Sequence, residues 1–155
     1  MPATRPAAVA GSFYPDSPTA LRRSVDDLLA AVPAGGPAAM PKALIVPHAG
    51  YLYSGAVAAL AYARLKPWRN RIRRVVLLGP AHRAAVRGLA LPDAEGFATP
   101  LGEVALDPEG MRTLAALPQV TTNAEAHRLE HALEVQLPFL QRVLGDFRLL
   151  PLAVG

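Results

Sequence analysis

Two short apolar runs decide the fold: Ala43-Leu44-Ile45-Val46 and Val75-Val76-Leu77-Leu78. Each leads into a histidine, through Pro47 to His48 after the first and through Gly79-Pro80-Ala81 to His82 after the second. Short apolar runs without alternation are the pattern of strands covered on both faces. Both are therefore expected to be buried parallel strands. Between them lies an Ala-rich stretch, residues 55–66, that reads as a helix capped by Ser54. Strand, helix and strand in that order imply a right-handed crossover.

Outward from this unit, Ser17-Pro18 reads as a helix start, with Leu21, Val25, Leu28, Leu29 and Val32 at helical spacing. A Pro- and Gly-rich linker, residues 33–41, ends that helix. On the other side, Leu89-Ala90-Leu91 suggests a short strand, and Thr99-Pro100-Leu101-Gly102 a turn before Val104-Ala105-Leu106. Asp107-Pro108 opens a helix running to about residue 117. A longer helix is expected over 124–144, with Leu133, Leu137, Leu140 and Leu144 on one stripe and a kink at Pro138. Residues 147–154 read as a last buried strand. The pattern predicts an α/β protein: a three-layer α/β/α sandwich with a largely parallel or mixed central sheet, residues 1–155 forming one domain. Because Leu149, Leu150, Leu152 and Val154 offer apolar groups to both faces, this strand is expected to need further cover. A second copy of the chain would supply it, or a second half of the fold that is missing from these 155 residues.

Composition narrows the function. The chain has no cysteine, which removes disulfide scaffolds, thiolate metal sites and a thiol nucleophile of its own. Its net charge of +4 is concentrated in Lys66, Arg69, Arg71, Arg73 and Arg74, and the remainder sums to −1. One basic connector is not a nucleic-acid face, so no nucleic-acid partner is expected. No apolar run approaches the ~18 residues of a membrane span, and the opening residues lack a signal-peptide core. A cytoplasmic protein with no membrane partner is the default expectation.

Chemistry concentrates at the histidines. In open α/β sheets, ligands bind outside the carboxyl ends of the strands, where His48 and His82 both fall. Two imidazoles there suggest a metal site. The adjoining Ser54 helix start, with Tyr51 and Tyr53 beside it, suits an anionic or phenolic ligand. A second cluster, His127, Glu130, His131 and Glu134, would share one face of the long helix. It also matches H-x-x-E-H, a zinc-peptidase pattern that would place zinc on His127 and His131.

A resemblance joins these pieces. Arg5-Pro6-Ala7, Ala10-Gly11-Ser12-Phe13-Tyr14-Pro15, Pro47-His48-Ala49-Gly50-Tyr51, Tyr53-Ser54-Gly55, Gly79-Pro80-Ala81-His82, Thr99-Pro100-Leu101-Gly102 and the run Glu130 to Leu140 occur in order. In them the chain resembles the N-terminal part of the Memo family, whose bacterial and archaeal members are often labelled AmmeMemoRadiSam system protein B. The resemblance implies a fold similar to class III extradiol ring-cleavage dioxygenases and a non-haem iron or copper site, with zinc as a further option. It implies His48 and His82 as metal ligands and a cysteine third ligand from the family's second half. Within this cysteine-free chain, Glu130 or His131 could take that place, or His131 could serve as a pocket histidine moving protons. Tyr51, Tyr53, Ser54 and Glu130 are the candidate ligand contacts. The alternative that the resemblance implies is phosphopeptide binding in the same pocket without turnover.

Overall fold

The computed structural model describes residues 4–35 and 39–155. Residues 36–38 of the expected linker lie outside that range. Helix α1 (Pro18–Ala30) starts as its sequence dictates: Ser17 Oγ accepts the Ala20 N–H, Pro18 sits in the first turn, and Leu21, Val25 and Leu29 are buried. Helix α2 (Tyr51–Tyr62) starts at Tyr51 instead of Gly55. The Tyr51 N–H donates to the Phe13 carbonyl at 2.8 Å, which fixes the start there. Gly50 is the N-cap, and Ser54 lies within the first turns, its Oγ donating to Ala49 O at 2.8 Å.

Six strands follow: β1 (Arg74–Pro80), β2 (Leu89–Leu91), β3 (Gly96–Thr99), β4 (Gly102–Ala105), β5 (Val120–Thr122) and β6 (Arg148–Val154). Interleaved with them are α3 (Pro108–Ala115), α4 (Ala124–Arg128) and α5 (Leu137–Val143). The main sheet has the order β1-β6-β2-β5. β1 and β6 are parallel, with Val75 opposite Leu149 and Gly79 opposite Ala153; β2 runs antiparallel to β6 and parallel to β5. The sheet is therefore mixed. β3 and β4 form a separate hairpin turning at Thr99 and Gly102.

β6 is the spine. Leu149 joins the core of α1, α2 and α5, while Leu152 packs with Leu91 and Val120, against which Met111 and Leu114 of α3 lie. α3 comes close because residue 110 is glycine: a Cβ there would sit 2.7 Å from Leu150 Cδ1. Helices thus pack on both faces of β6, while one face of β1 stays open. Burying each such leucine is worth roughly 1.5–3 kcal/mol.

Three expectations change. Residues 43–46 belong to no strand; Ile45 is wholly exposed while Leu44 and Val46 pack on the core. Apolarity without a pairing partner was insufficient to make a strand. β6 is central and buried, so the exposed apolar surface lies elsewhere: on Val76 and Leu78 of β1, on Ile45, and on Leu52, Tyr53, Val57 and Leu60 of α2.

The long helix expected over 124–144 is also interrupted. α4 ends at Arg128, a turn spans 129–133, a short 3-10 segment covers Glu134–Gln136, and α5 begins with Pro138 in its first turn. Pro138 therefore starts a helix and kinks none. The break has a polar cause. Glu130 Oε1 accepts the N–H groups of both His131 and Ala132, drawing them away from helical partners.

Candidate metal centre

The connection before α2 supplies His48, the residues just after β1 supply His82, and the turn after α4 supplies His131. Their rings converge: centroids are 5.3 Å apart for His48 and His82, 4.6 Å for His82 and His131, and 5.9 Å for His48 and His131. One ligating nitrogen from each lies within 4.8 Å of the others. Three imidazoles suit zinc, copper, iron or nickel more than magnesium or calcium.

Electrostatics favour a neutral His131. Burial lowers the His131 pKa below the ordinary histidine value, and His82, His48 and Arg83 lower it further against the opposing charge of Glu130. A neutral imidazole keeps the lone pair a metal needs. Phe13 packs on the His131 ring at 4.7 Å and fixes its orientation.

Glu130 faces protein and not the cleft. Its side chain is 1% exposed; Oε2 accepts the His82 backbone N–H at 2.6 Å, and Oε1 lies 2.9 Å from His82 Nδ1. Burial alone would raise its pKa, but hydrogen bonds from Ala132 N–H, His82 N–H and the His82 ring outweigh that and keep it lowered. An ionised carboxylate only accepts, so His82 carries its proton on Nδ1, which leaves the lone pair on Nε2. This is the carboxylate–histidine arrangement that orients metal ligands. Glu130 is thus removed as a ligand contact or third donor.

The other expected contacts divide. Tyr53 is exposed and lines a cleft of about 570 Å³ with Ser12, Phe13, Pro47, His48, Gly50 and His131. Tyr51 is buried beneath it, its OH donating to Val135 O at 2.8 Å, and Ser54 is spent on the α2 backbone. Neither lines the cleft, because both side chains lie on the inward face of α2. His127, which a place near the start of the expected helix would leave more exposed than His131, is 2% exposed. Its Nε2 bonds Ala90 O at 2.8 Å and its ring meets Phe97 edge-on. The H-x-x-E-H pattern therefore forms no zinc-peptidase site: the continuous helix it requires is absent, and His127 and His131 diverge.

Sequence reasoning missed Ser12 and Phe13 as site residues, and the buried Arg5 and Tyr14 behind them. Their only sequence signal was the ordered motif at 5–15, which has no periodicity to place it in space.

A mixed α/β sheet carrying three convergent histidines beyond a strand end defines the class. Within that class, the Memo-like protein family matches residues 5–155. A MEMO1 family protein of Aquifex aeolicus is 40% identical over 152 residues, covering 97% of this chain and 54% of the relative. Another from Sulfolobus acidocaldarius is 38% identical over 159 residues, covering 95% and 56%. A third, from Methanobrevibacter smithii, is 34% identical over 164 residues, covering 97% and 57%. The chain belongs to the Memo family. It spans about half the length of these curated relatives.

Proposed function

We propose that the chain is a metal-binding Memo protein in which His48, His82 and His131 hold an iron or copper ion, zinc being the further option, beside a cleft for a small phenolic or anionic ligand. The mutual approach of the three ring nitrogens carries this reading. Bound there, the ion supplies Lewis-acid polarisation and, for iron or copper, electron transfer of the dioxygenase-like kind. The chain's own residues do the rest. Glu130 holds His82 by its Nδ1–H, Phe13 holds His131, and Phe13 with Pro47 keeps the cleft wall apolar. Tyr53 stands at the rim to meet an incoming ring or anion. His131 has one lone pair, so it serves either as third donor or as proton acceptor for the ligand. We assign it the donor role.

The test is metal content and coordination after loading with Fe(II), Cu(II) or Zn(II). One equivalent of iron or copper with three nitrogen donors is expected, lost on changing any of the three histidines to alanine. Two nitrogen donors would return His131 to proton transfer. Oxygen uptake with a phenolic ligand would assign turnover. Binding of a phosphopeptide without uptake would favour the second reading, which Arg83 supports by placing a cationic charge close enough to act on His131. A cytoplasmic setting is carried with both readings.

A further inference from the structure

The turn that aims His131 contradicts its own sequence. Residues 124–144 have helical patterning, and in a continuous helix the carbonyls of His127 and Glu130 would accept the N–H groups of residues 131 and 134. His131 N–H goes to Glu130 Oε1 instead. The guanidinium of Arg5 takes over both carbonyls. Its Nε donates to His127 O at 2.6 Å and its Nη2 to Glu130 O at 2.6 Å. Its Nη1 pairs with Glu134 Oε2, also at 2.6 Å.

Arg5 is itself anchored. Its backbone N–H donates to Gly96 O and its carbonyl accepts from Ala98 N–H, both at 2.8 Å, so it is fastened to β3. Its guanidinium lies 4.9 Å from the Phe97 ring centroid. Glu134, wholly buried, also accepts the Ala8 and Val9 N–H groups and the Tyr14 OH at 2.6 Å. Tyr14 follows Phe13, which packs on His131. The segment from Arg5 to Tyr14 therefore grips the histidine turn at its carbonyls, its carboxylate and its ring.

We propose that Arg5 is a positioning residue for the metal centre: by replacing two helical hydrogen bonds, it holds the 127–134 break that sends His127 to the core and His131 to His48 and His82. This rests on the three-histidine reading above. Only arginine offers three divergent N–H groups in a rigid plane; lysine keeps the charge toward Glu134 but lacks the fork for the two carbonyls.

Arg5→Lys is the decisive variant, because it leaves no unpaired buried carboxylate. Co(II) serves as the probe, titrated by its visible absorption, alongside hydrogen exchange of the metal-free protein. Arg5→Lys is expected to weaken Co(II) binding about 10–100-fold, the range for losing an outer support of a ligand, and to alter the absorption bands. Amides of residues 127–134 should exchange faster, while those of β1 and β6 stay protected. In Arg5→Ala, added methylguanidinium should restore part of the Co(II) affinity. Unchanged affinity, spectrum and exchange in Arg5→Lys would overturn the proposal, as would loosening of β1 and β6 to the same degree as the turn. If wild-type protein takes up no Co(II), the metal reading fails instead, and exchange in metal-free Arg5→Lys decides the role of Arg5. Should Arg5→Lys not fold, Tyr14→Phe tests the same grip through Glu134, with selective loosening of 127–134 expected and its absence contrary.

Discussion

Oε1 of Glu130 lies 2.9 Å from Nδ1 of His82, and the same oxygen accepts the His131 N–H at 2.9 Å. One buried carboxylate atom thus sets the ring of one histidine and the backbone of another. Glu130→Gln places an amide in the same space but removes the charge and half the accepting capacity. It should lower metal affinity about 10–100-fold and reduce stability by about 1–3 kcal/mol. Calorimetric metal titration and urea unfolding check both.

Removing histidines separates the two sequence patterns. His82→Ala and His131→Ala should each abolish stoichiometric metal uptake, whereas His127→Asn should retain it. The cost of His127→Asn falls on stability, about 1–3 kcal/mol for the lost bond to Ala90 O and the altered packing on Phe97. Uptake lost in His127→Asn alone, with the fold intact by circular dichroism, would contradict this division.

Stability should fall on mild acidification. Burial lowers the His127 pKa, with Arg5 adding to it against the Ala90 hydrogen bond and Glu130. The folded state thus resists a proton that the unfolded chain accepts near pH 6.5. The contribution is complete above that pH and is lost as pH falls toward the lowered folded value. Urea midpoints of the metal-free protein at pH 7.5, 6.5 and 5.5 should decrease in that order, less steeply in His127→Asn.

The outer side of α2 presents Leu52, Tyr53, Val57 and Leu60 to solvent, near in kind to exposed Val76 and Leu78 on β1. Apolar groups of this number on a small protein favour association. The 155-residue chain alone should self-associate at micromolar concentration in sedimentation. Val57→Lys with Leu60→Lys should shift it toward monomer, with stability changed by no more than about 0.5 kcal/mol per site.

Much of the architecture was legible because it rests on local signals. Ser17-Pro18 and Asp107-Pro108 cap their helices, and the apolar runs at 75–78 and 147–154 became β1 and β6. His82 could be placed because it follows such a run, whereas His48 joins it although the run before it forms no strand. The failures share a different cause. Ala43 to Val46 looked like a strand but has no neighbour to pair with, and β5 is three residues whose pairing with β2 decides its state. The break at 129–133 depends on Arg5 and on the Glu130 carboxylate, partners that hydropathy does not register. Tyr51 and Ser54 were misplaced by a four-residue error in where α2 starts, which on a helix turns a side chain toward the core.

The three acceptors of the Arg5 side chain lie 122, 125 and 129 residues further along the chain. At a synthesis rate of about 5–20 residues per second, Arg5 emerges roughly 6–25 s before the last of them is made. Loop closure over that span precedes any return from the contact, which makes it slow to form. The hairpin and the first helices can assemble while Arg5 waits. Assembly of the histidine turn is therefore a late event in the life of each molecule, and an ion held at the proposed site would be captured after residues 5 and 134 have met, without guiding their meeting.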